Sequence, residues 1–186
     1  MSLVLVKETG MGLSTANSYA TAADGDAYHD GHLYASAWTA ATTAKKEAAL
    51  VMATRLIDAY MAFRGAKVST GQALQWPRVN CLDPDSPGTP FTIRILGGGG
   101  GDCFDPTAVP RVVRDATCEV ARELLVADRS AAPLGEGLVS SKVGDSAMVF
   151  DSVGRAPVLS RVAIALLTKV GVYIGDGRGM VRLERV

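Results

Sequence analysis

The chain has 186 residues, with 19 basic and 19 acidic side chains and therefore no formal net charge. This balance argues against a protein that holds nucleic acid through bulk attraction to phosphate. The length suits one domain, which can bury a core without a metal or a disulfide. We therefore expect residues 1–186 to form a single domain.

The cysteines and the hydrophobic pattern exclude several further classes. Cys81, Cys103 and Cys118 are odd in number and include no CxxC pair, which argues against a disulfide framework or a zinc site. No apolar run approaches the roughly 20 residues of a membrane helix. The first residues also lack the basic and apolar regions of a signal peptide. We expect no metal, no cofactor and no membrane contact, and a protein made in a cytoplasm.

The start of the chain predicts one short extended segment and one helix. Residues 3–6 are short and β-like. Thr21 can cap a first helix over about residues 22–33. Gly25 and Gly31 weaken that helix, because glycine is a poor helix former.

A second helix is predicted from Thr42 or Thr43, either of which can cap it, to about Ala62. Gly65 follows and ends it. Apolar residues recur at steps of three and four and give one buried stripe, namely Ala49, Met52, Leu56, Tyr60 and Phe63.

The middle of the chain predicts a loop or hairpin excursion over residues 82–109. Residues 91–96 alternate like a strand, and glycine fills positions 97–101. A phosphate cradle would need a helix directly after the glycines. The next helix begins only near Pro110, and Asp102 and Asp105 intervene with the wrong charge, so we interpret the run as a loop.

A third helix begins at Pro110, which suits a first helical position. Its buried face is predicted to contain Val113, Thr117, Val120 and Leu124. A β-hairpin is predicted from residues 139–143 and 147–150, around Gly144-Asp145-Ser146.

A fourth helix is predicted over about residues 157–170, with Leu159, Val162, Leu166 and Val170 facing inward. Residues 171–186 are punctuated by glycine and predict an extended C-terminal tail. The fold class is therefore mainly α: a small helical bundle of about four helices with a β-hairpin and extended loop and tail arms.

Catalytic or metal chemistry has little support. His29 and His32 are the only histidines, and their spacing with Asp26 and Asp30 matches no standard ligand set. A solvated polar helix face is the simpler interpretation. Neither GxSxG nor HExxH occurs. We predict that the protein is not an enzyme, and an enzyme using His29 or His32 is the weakest alternative.

Residues 72–78 end in Trp76-Pro77-Arg78, the most unusual group in the sequence. A base-stacking tryptophan beside a phosphate-binding arginine is one interpretation. Packing of Trp76 against the second helix is the other. We favour packing, because single-strand binders usually offer several aromatic residues along a basic groove. Trp38, just before the second helix, has the same two interpretations and is also expected to pack.

These segments together resemble a family of proteins of tailed bacteriophages and prophages. Its members are often described as DnaT-like single-stranded-DNA-binding proteins and are similar to head–tail connector proteins. The likeness spans nearly the whole chain and rests on ANSYAT at 16–21, AYH at 27–29, Trp38, KEAAL at 46–50, ATRLID at 53–58, Phe63-Arg64-Gly65, QALQWPR at 72–78, VPRVVRDA at 109–116, EVA at 119–121, KVG at 142–144 and FD at 150–151.

The resemblance implies a structural virion protein of the neck, an adaptor that forms a ring, typically of twelve copies. Such a ring would lie below the portal protein at the head–tail junction of a virion assembled in the host cytoplasm. It would extend the channel for packaged double-stranded DNA and dock tail, stopper or neck proteins. The alternative is a single-stranded-DNA-binding module acting in phage DNA replication, with steeply salt-dependent affinity that is lost when Trp76 becomes Ala.

The C-terminal tail is the predicted contact with the portal or with a neighbouring subunit. From Leu138 onward the chain is net positive. Apolar and basic residues alternate near the end, which suits addition of a strand to a partner sheet. The residues predicted to make this contact are Arg178, Val181, Arg182, Leu183 and Arg185. The arginines could instead line a passage for DNA.

Overall fold

The computed structural model describes residues 3–86, 103–131, 140–143, 146–149 and 157–175, with 140–143 and 146–149 given by their backbone alone. Within these ranges the chain forms five helices and six short strands. In chain order they are α1 (Ala22–His29), α2 (Ser36–Thr39), α3 (Thr43–Tyr60), β1 (Met61–Phe63), β2 (Ala66–Lys67), β3 (Arg78–Val79), α4 (Arg111–Leu124), β4 (Ser140–Val143), β5 (Ser146–Val149), α5 (Arg161–Leu167) and β6 (Gly171–Tyr173).

The described part of the chain is an α-rich mixed fold. Three two-stranded antiparallel pairs accompany the helices: β1 with β6, β2 with β3, and β4 with β5. The predicted β-hairpin is confirmed as β4–β5, in which Ser140 lies opposite Val149. The prediction of a mainly α bundle is therefore confirmed only in part. Residues 3–6, expected to be β-like, form no strand.

The core lies where α3 packs on α4 and α4 packs on α5. Leu50 and Ile57 of α3, Val113 of α4 and Leu167 of α5 are all fully buried. Each such side chain stabilises the fold by about 1.5–3 kcal/mol relative to an exposed position. None of the helices in the described ranges is long and apolar enough to cross a membrane.

The buried face of α3 is rotated away from the predicted stripe. Leu50, Ala53 and Ile57 form its fully buried centre. Met52 and Tyr60, expected to face inward, are only half-buried at one side of that centre. Ala49 and Leu56 of the predicted stripe are buried as expected, and the buried face extends from them toward Leu50 and Ile57, where the small Ala53 lets the helix approach its neighbours closely.

Helix α3 ends two residues earlier than predicted, because the chain turns there into β1. Met61 has extended backbone, with φ of −117°, while its N–H still donates to the carbonyl of Ile57. Ala62 then pairs with Val172 of β6. This partner is far along the chain, so the periodicity of the helix could not reveal it.

The fourth predicted helix is also shorter than expected. Ser160 caps it, its hydroxyl accepting from the N–H of Ala163 at 3.1 Å, and the helix runs only over α5. Leu159 and Val170, predicted to face inward, are fully buried in the segments that flank the helix. Val162 was expected inward and is 53% exposed.

Gly25 of α1 is required by packing and does not merely weaken the helix. A Cβ at Gly25 would lie 2.2 Å from Cζ2 of Trp38, far inside van der Waals contact. Trp38 itself is buried, and its indole N–H donates to Oδ1 of Asp26 at 2.8 Å. Helix α1 ends at His29, and a Cβ at Gly31 would meet nothing within 4 Å.

Replacing Gly25 with Ala should therefore destabilise the protein, although Gly→Ala inside a helix usually stabilises it by roughly 0.5–1 kcal/mol. We expect a loss of about 1–3 kcal/mol in the free energy of unfolding, because Trp38 must leave its rotamer. Urea denaturation measures this loss. Gly31→Ala is the matched control and should change stability by less than about 0.5 kcal/mol. Equal effects at both positions would refute the packing argument.

Candidate functional site

The motif at residues 72–78 folds into the interior. Trp76 is fully buried, and its ring meets Phe63 at 5.8 Å and Phe104 at 6.1 Å between centroids, both edge-on. The Trp76–Pro77 peptide bond is cis. No face of the indole is open to a nucleobase, so the base-stacking hypothesis for Trp76 is wrong.

Arg78 is occupied by backbone carbonyls. Its guanidinium donates to the carbonyls of Arg64 at 2.7 Å, Gly65 at 2.7 Å and Phe63 at 3.3 Å. It also donates to the backbone and side-chain oxygens of Gln75. Gly65 has φ of +73°, and a Cβ there would lie 2.2 Å from the Val79 carbonyl oxygen. Arg78 therefore joins the turn after β1 to the 72–78 segment and is not free to bind phosphate.

Tyr19 and Asp58 join two further motifs to the same segment. The Tyr19 hydroxyl donates to Oδ1 of Asp58 at 2.5 Å and accepts from the N–H groups of Gln75 and Trp76. Oδ2 of Asp58 accepts from the N–H of Gln75 at 3.1 Å. Burial raises the pKa of Asp58 from 3.8 to about 6, against the opposite effect of these hydrogen bonds. The group is a structural connection between three sequence motifs.

The histidines and Trp38 also belong to the packed interior. The ring of His29 is buried against Trp38 at 5.0 Å between centroids, and its Nε2 lies 3.2 Å from the carbonyl oxygen of Cys118. Burial lowers the pKa of His29. His32 lies 3.8 Å from a carboxylate oxygen of Glu119. Across the described ranges, no group of three His, Cys, Asp or Glu side chains could hold a metal ion.

Several predicted elements lie outside the described residues. These are the strand-like residues 91–96, the glycine run 97–101 and the predicted tail contact, Arg178, Val181, Arg182, Leu183 and Arg185.

The solvent-facing side of α3 has a different character from the buried motifs. Lys45, Ala48, Arg55 and Ala59 are all exposed. Their spacings of three, seven and four residues place them on one face of the helix. Lys45 and Arg55 are about 15 Å apart along the helix axis, at 1.5 Å per residue. Ala48 lies between the two cations and Ala59 lies one turn beyond Arg55, so small side chains adjoin both charges.

Strand β1 continues this line beyond the helix. Ala62 is exposed, and Arg64 follows two residues later on the same side of the extended chain. The N–H of Arg64 donates to the Val170 carbonyl, and its side chain donates to the Lys169 carbonyl at 3.2 Å. We call Lys45, Arg55 and Arg64 the cationic line.

The cationic line combines exposure, placement along one face and a lack of carboxylate partners; Lys67, Arg114 and Arg161 also form no ion pair with a described residue, but they lie on other elements. None of the ion pairs between described residues involves any of its three members. Several other cations are paired locally: Lys7 with Asp24, Lys46 with Asp26, Arg111 with Asp115, Arg122 with Glu119 and Lys169 with Asp85. Positive charge without a local partner is what a polyanion can neutralise.

A groove of about 290 Å³ runs beside this face, between α3 and the C-terminal end of α4. Its lining is mainly apolar, with Lys45 and Asp128 as the charged members: Lys45, Ala48, Ala49, Met52, Leu124, Leu125 and Asp128. Sequence reasoning missed both the cationic line and the groove. The sequence spacing predicts that four residues share one face of α3, namely Lys45, Ala48, Arg55 and Ala59. It does not show that this face is exposed, because that depends on which side of α3 packs against the core.

The ionisation of Asp58 should make stability pH-dependent. The folded pKa of Asp58, about 6, lies above the reference value of 3.8. The contribution of protonated Asp58 to the free energy of unfolding is therefore fully present below about pH 4 and is lost as pH rises through 6. Between pH 4 and 7 the wild type should lose on the order of 2–3 kcal/mol relative to Asp58→Asn, which cannot ionise. Urea unfolding across this range measures the difference. A difference that does not change with pH would contradict the assignment.

Removal of the Arg78 guanidinium should destabilise the fold strongly, because Arg78 is buried and five part-buried hydrogen bonds to oxygen acceptors lose their donor. We expect Arg78→Gln to cost more than about 3 kcal/mol in the free energy of unfolding. Arg111→Gln is the matched control, since Arg111 is 83% exposed and pairs only with Asp115, and it should cost less than about 0.5 kcal/mol. Similar losses for the two variants would show that Arg78 has no special structural role.

A family model described as "Putative DnaT-like ssDNA binding protein" matches residues 1–186, which is the whole chain. No curated protein and no solved structure matches the chain.

The match corrects the function expected first. The prediction of a structural head–tail connector, a homo-oligomeric ring in the virion neck that docks tail components, is wrong, because the family that covers the whole chain is described by single-stranded-DNA binding. Portal and tail partners have no support from it. The alternative prediction agrees with the match. The chain belongs to the family of DnaT-like single-stranded-DNA-binding proteins.

Proposed function

We propose that the protein binds single-stranded DNA along the exposed face of α3, with Lys45, Arg55 and Arg64 contacting phosphates. The observation that carries this proposal is the match of the whole chain to a family described by that activity. The cationic line supports it as the place of contact, because its charges are exposed and have no carboxylate partners among the described residues.

The zero net charge of the chain is compatible with this function. Affinity for a phosphate backbone depends on the cations that displace counterions at the contact, and these can be few. Two or three phosphate contacts predict moderate affinity, with log K falling against log salt at a slope of about 1.4–2.1. The proposal involves binding alone, with no chemical step on the DNA.

The buried aromatic residues limit how the bases can be held. Trp38 and Trp76 are in the core, so neither offers the stacking surface that many single-strand binders use. On α3, alanines and the half-buried Met52 adjoin the cations instead. Apolar contact with base faces would therefore add to the phosphate contacts without aromatic stacking.

Lys45→Gln combined with Arg55→Gln should weaken binding of a single-stranded oligonucleotide and flatten its salt dependence. Each phosphate contact contributes about 0.7 to the slope of log K against log salt for single strands. The magnitude of that slope should therefore fall by about 1.4. Fluorescence anisotropy with a labelled oligonucleotide over a series of salt concentrations measures it.

The matched control is Lys7→Gln combined with Arg111→Gln. It removes the same formal charge from cations that are already paired with Asp24 and Asp115, and it should leave the slope nearly unchanged. Equal loss in both double variants would show that binding follows net charge and has no defined contact on α3. Absence of any oligonucleotide binding by the wild type would reject the proposed function itself.

A further inference from the structure

We propose that the groove between α3 and α4 holds one unpaired nucleobase and prefers a base with an exocyclic amino group, such as cytosine, over uracil or thymine. The proposal rests on the proposed function, because it assigns a specificity to the same surface. The residue that sets the preference is Asp128, at the rim of the groove.

The groove adjoins the cationic line through a shared residue. Lys45 belongs to the line and also lines the groove. A phosphate held by Lys45 would therefore place its own or the next base beside the apolar surface of Met52, Leu124 and Leu125. The rigid, largely apolar faces of a base suit such a surface, and its polar edge then points toward the rim.

The two charged residues of the lining do not neutralise each other. Lys45 and Asp128 both line the groove, yet neither appears in any ion pair between described residues. A groove with an apolar surface and with one cation and one carboxylate that do not pair with each other complements a nucleotide, which offers a phosphate, an apolar ring and hydrogen-bond donors.

The carboxylate of Asp128 is held in place by its own loop. Oδ1 accepts from the N–H of Ser130 at 2.9 Å, from the Ser130 hydroxyl at 2.6 Å and from the N–H of Ala131 at 3.3 Å. These bonds use Oδ1 and leave Oδ2 to accept from a ligand. The Ser130 hydroxyl and N–H lower the pKa of Asp128, so the group is an ionised acceptor at neutral pH.

An ionised carboxylate accepts hydrogen bonds and cannot donate them. Cytosine presents an N4 amino donor at the position where uracil and thymine present the O4 acceptor. Oδ2 of Asp128 would therefore attract the edge of cytosine and repel that of uracil. Because the two bases otherwise have nearly the same ring, this contact can discriminate between them.

The test compares oligo(dC) and oligo(dU) of equal length at neutral pH, with anisotropy as the readout. The wild-type protein should bind oligo(dC) about fivefold more tightly, the effect of one hydrogen bond to a charged group in an open site. Asp128→Asn keeps an oxygen that can accept from Ser130 and therefore turns its NH2 group, a donor, toward the ligand. It should abolish or reverse the preference for oligo(dC), because the amide donates to O4 of uracil and no longer accepts from N4 of cytosine, with oligo(dU) binding preserved or improved.

A second pair of variants tests the groove itself without touching Asp128. Ala48→Leu fills the groove from its exposed wall, and Ala165→Leu adds the same side chain to an exposed position of α5, away from the groove lining and from α3. We expect the first to reduce oligo(dC) affinity and to remove the preference, and the second to change neither.

The outcomes separate the two proposals. If the wild type binds both oligonucleotides equally, or if Asp128→Asn keeps the full preference, the base-pocket inference is wrong while the proposed function stands. If the wild type binds neither oligonucleotide, both are wrong. A preference that survives Ala48→Leu would place base recognition elsewhere on the protein and would also overturn the inference.

Discussion

The guanidinium of Arg78 is the interaction on which the arrangement of this protein most depends. Its N–H groups donate to the backbone carbonyls of Phe63, Arg64 and Gly65. They also donate to the backbone and side-chain oxygens of Gln75. The planar guanidinium has five N–H donors and can bond all of these acceptors at once. A Lys or Gln side chain has too few donors in the required geometry to replace it. The contact fixes the direction in which the chain leaves α3, which allows β1 to pair with β6 and leaves the sheet against the core.

The pair Tyr19–Asp58 has a related effect from the other side of the same segment. It anchors the N–H groups of Gln75 and Trp76 to α3, and burial of the carboxyl raises its pKa to about 6. The most unusual group of the sequence, residues 72–78, therefore stabilises the interior of the fold. The proposed DNA contacts, by contrast, are made by plainer residues, Lys45 and Arg55, which are exposed and form no ion pair within the described part of the chain.

This division explains why the first functional expectation failed. The motifs that carried the resemblance, such as ANSYAT at 16–21 and QALQWPR at 72–78, are the ones that build the interior. They identify a family and its fold, because a buried network of hydrogen bonds tolerates few substitutions. They contain no surface that could distinguish a connector from a DNA-binding protein, since a function is located in a site and not in a fold.

The sequence by itself determined the helices with strong periodicity or caps, the β4–β5 hairpin and the family. Each depends on residues close together in the chain: Thr21 capping α1, Thr42 capping α3, and the apolar repeat of α4. Only the tertiary structure decided the rotation of α3, the end of that helix at Tyr60 and the pairing of β1 with β6. Those features depend on partners up to about a hundred residues away, as when Ala62 meets Val172. Which cations remain without a carboxylate is likewise a property of the assembled surface, because charge pairing such as Lys169 with Asp85 joins residues that no local pattern relates.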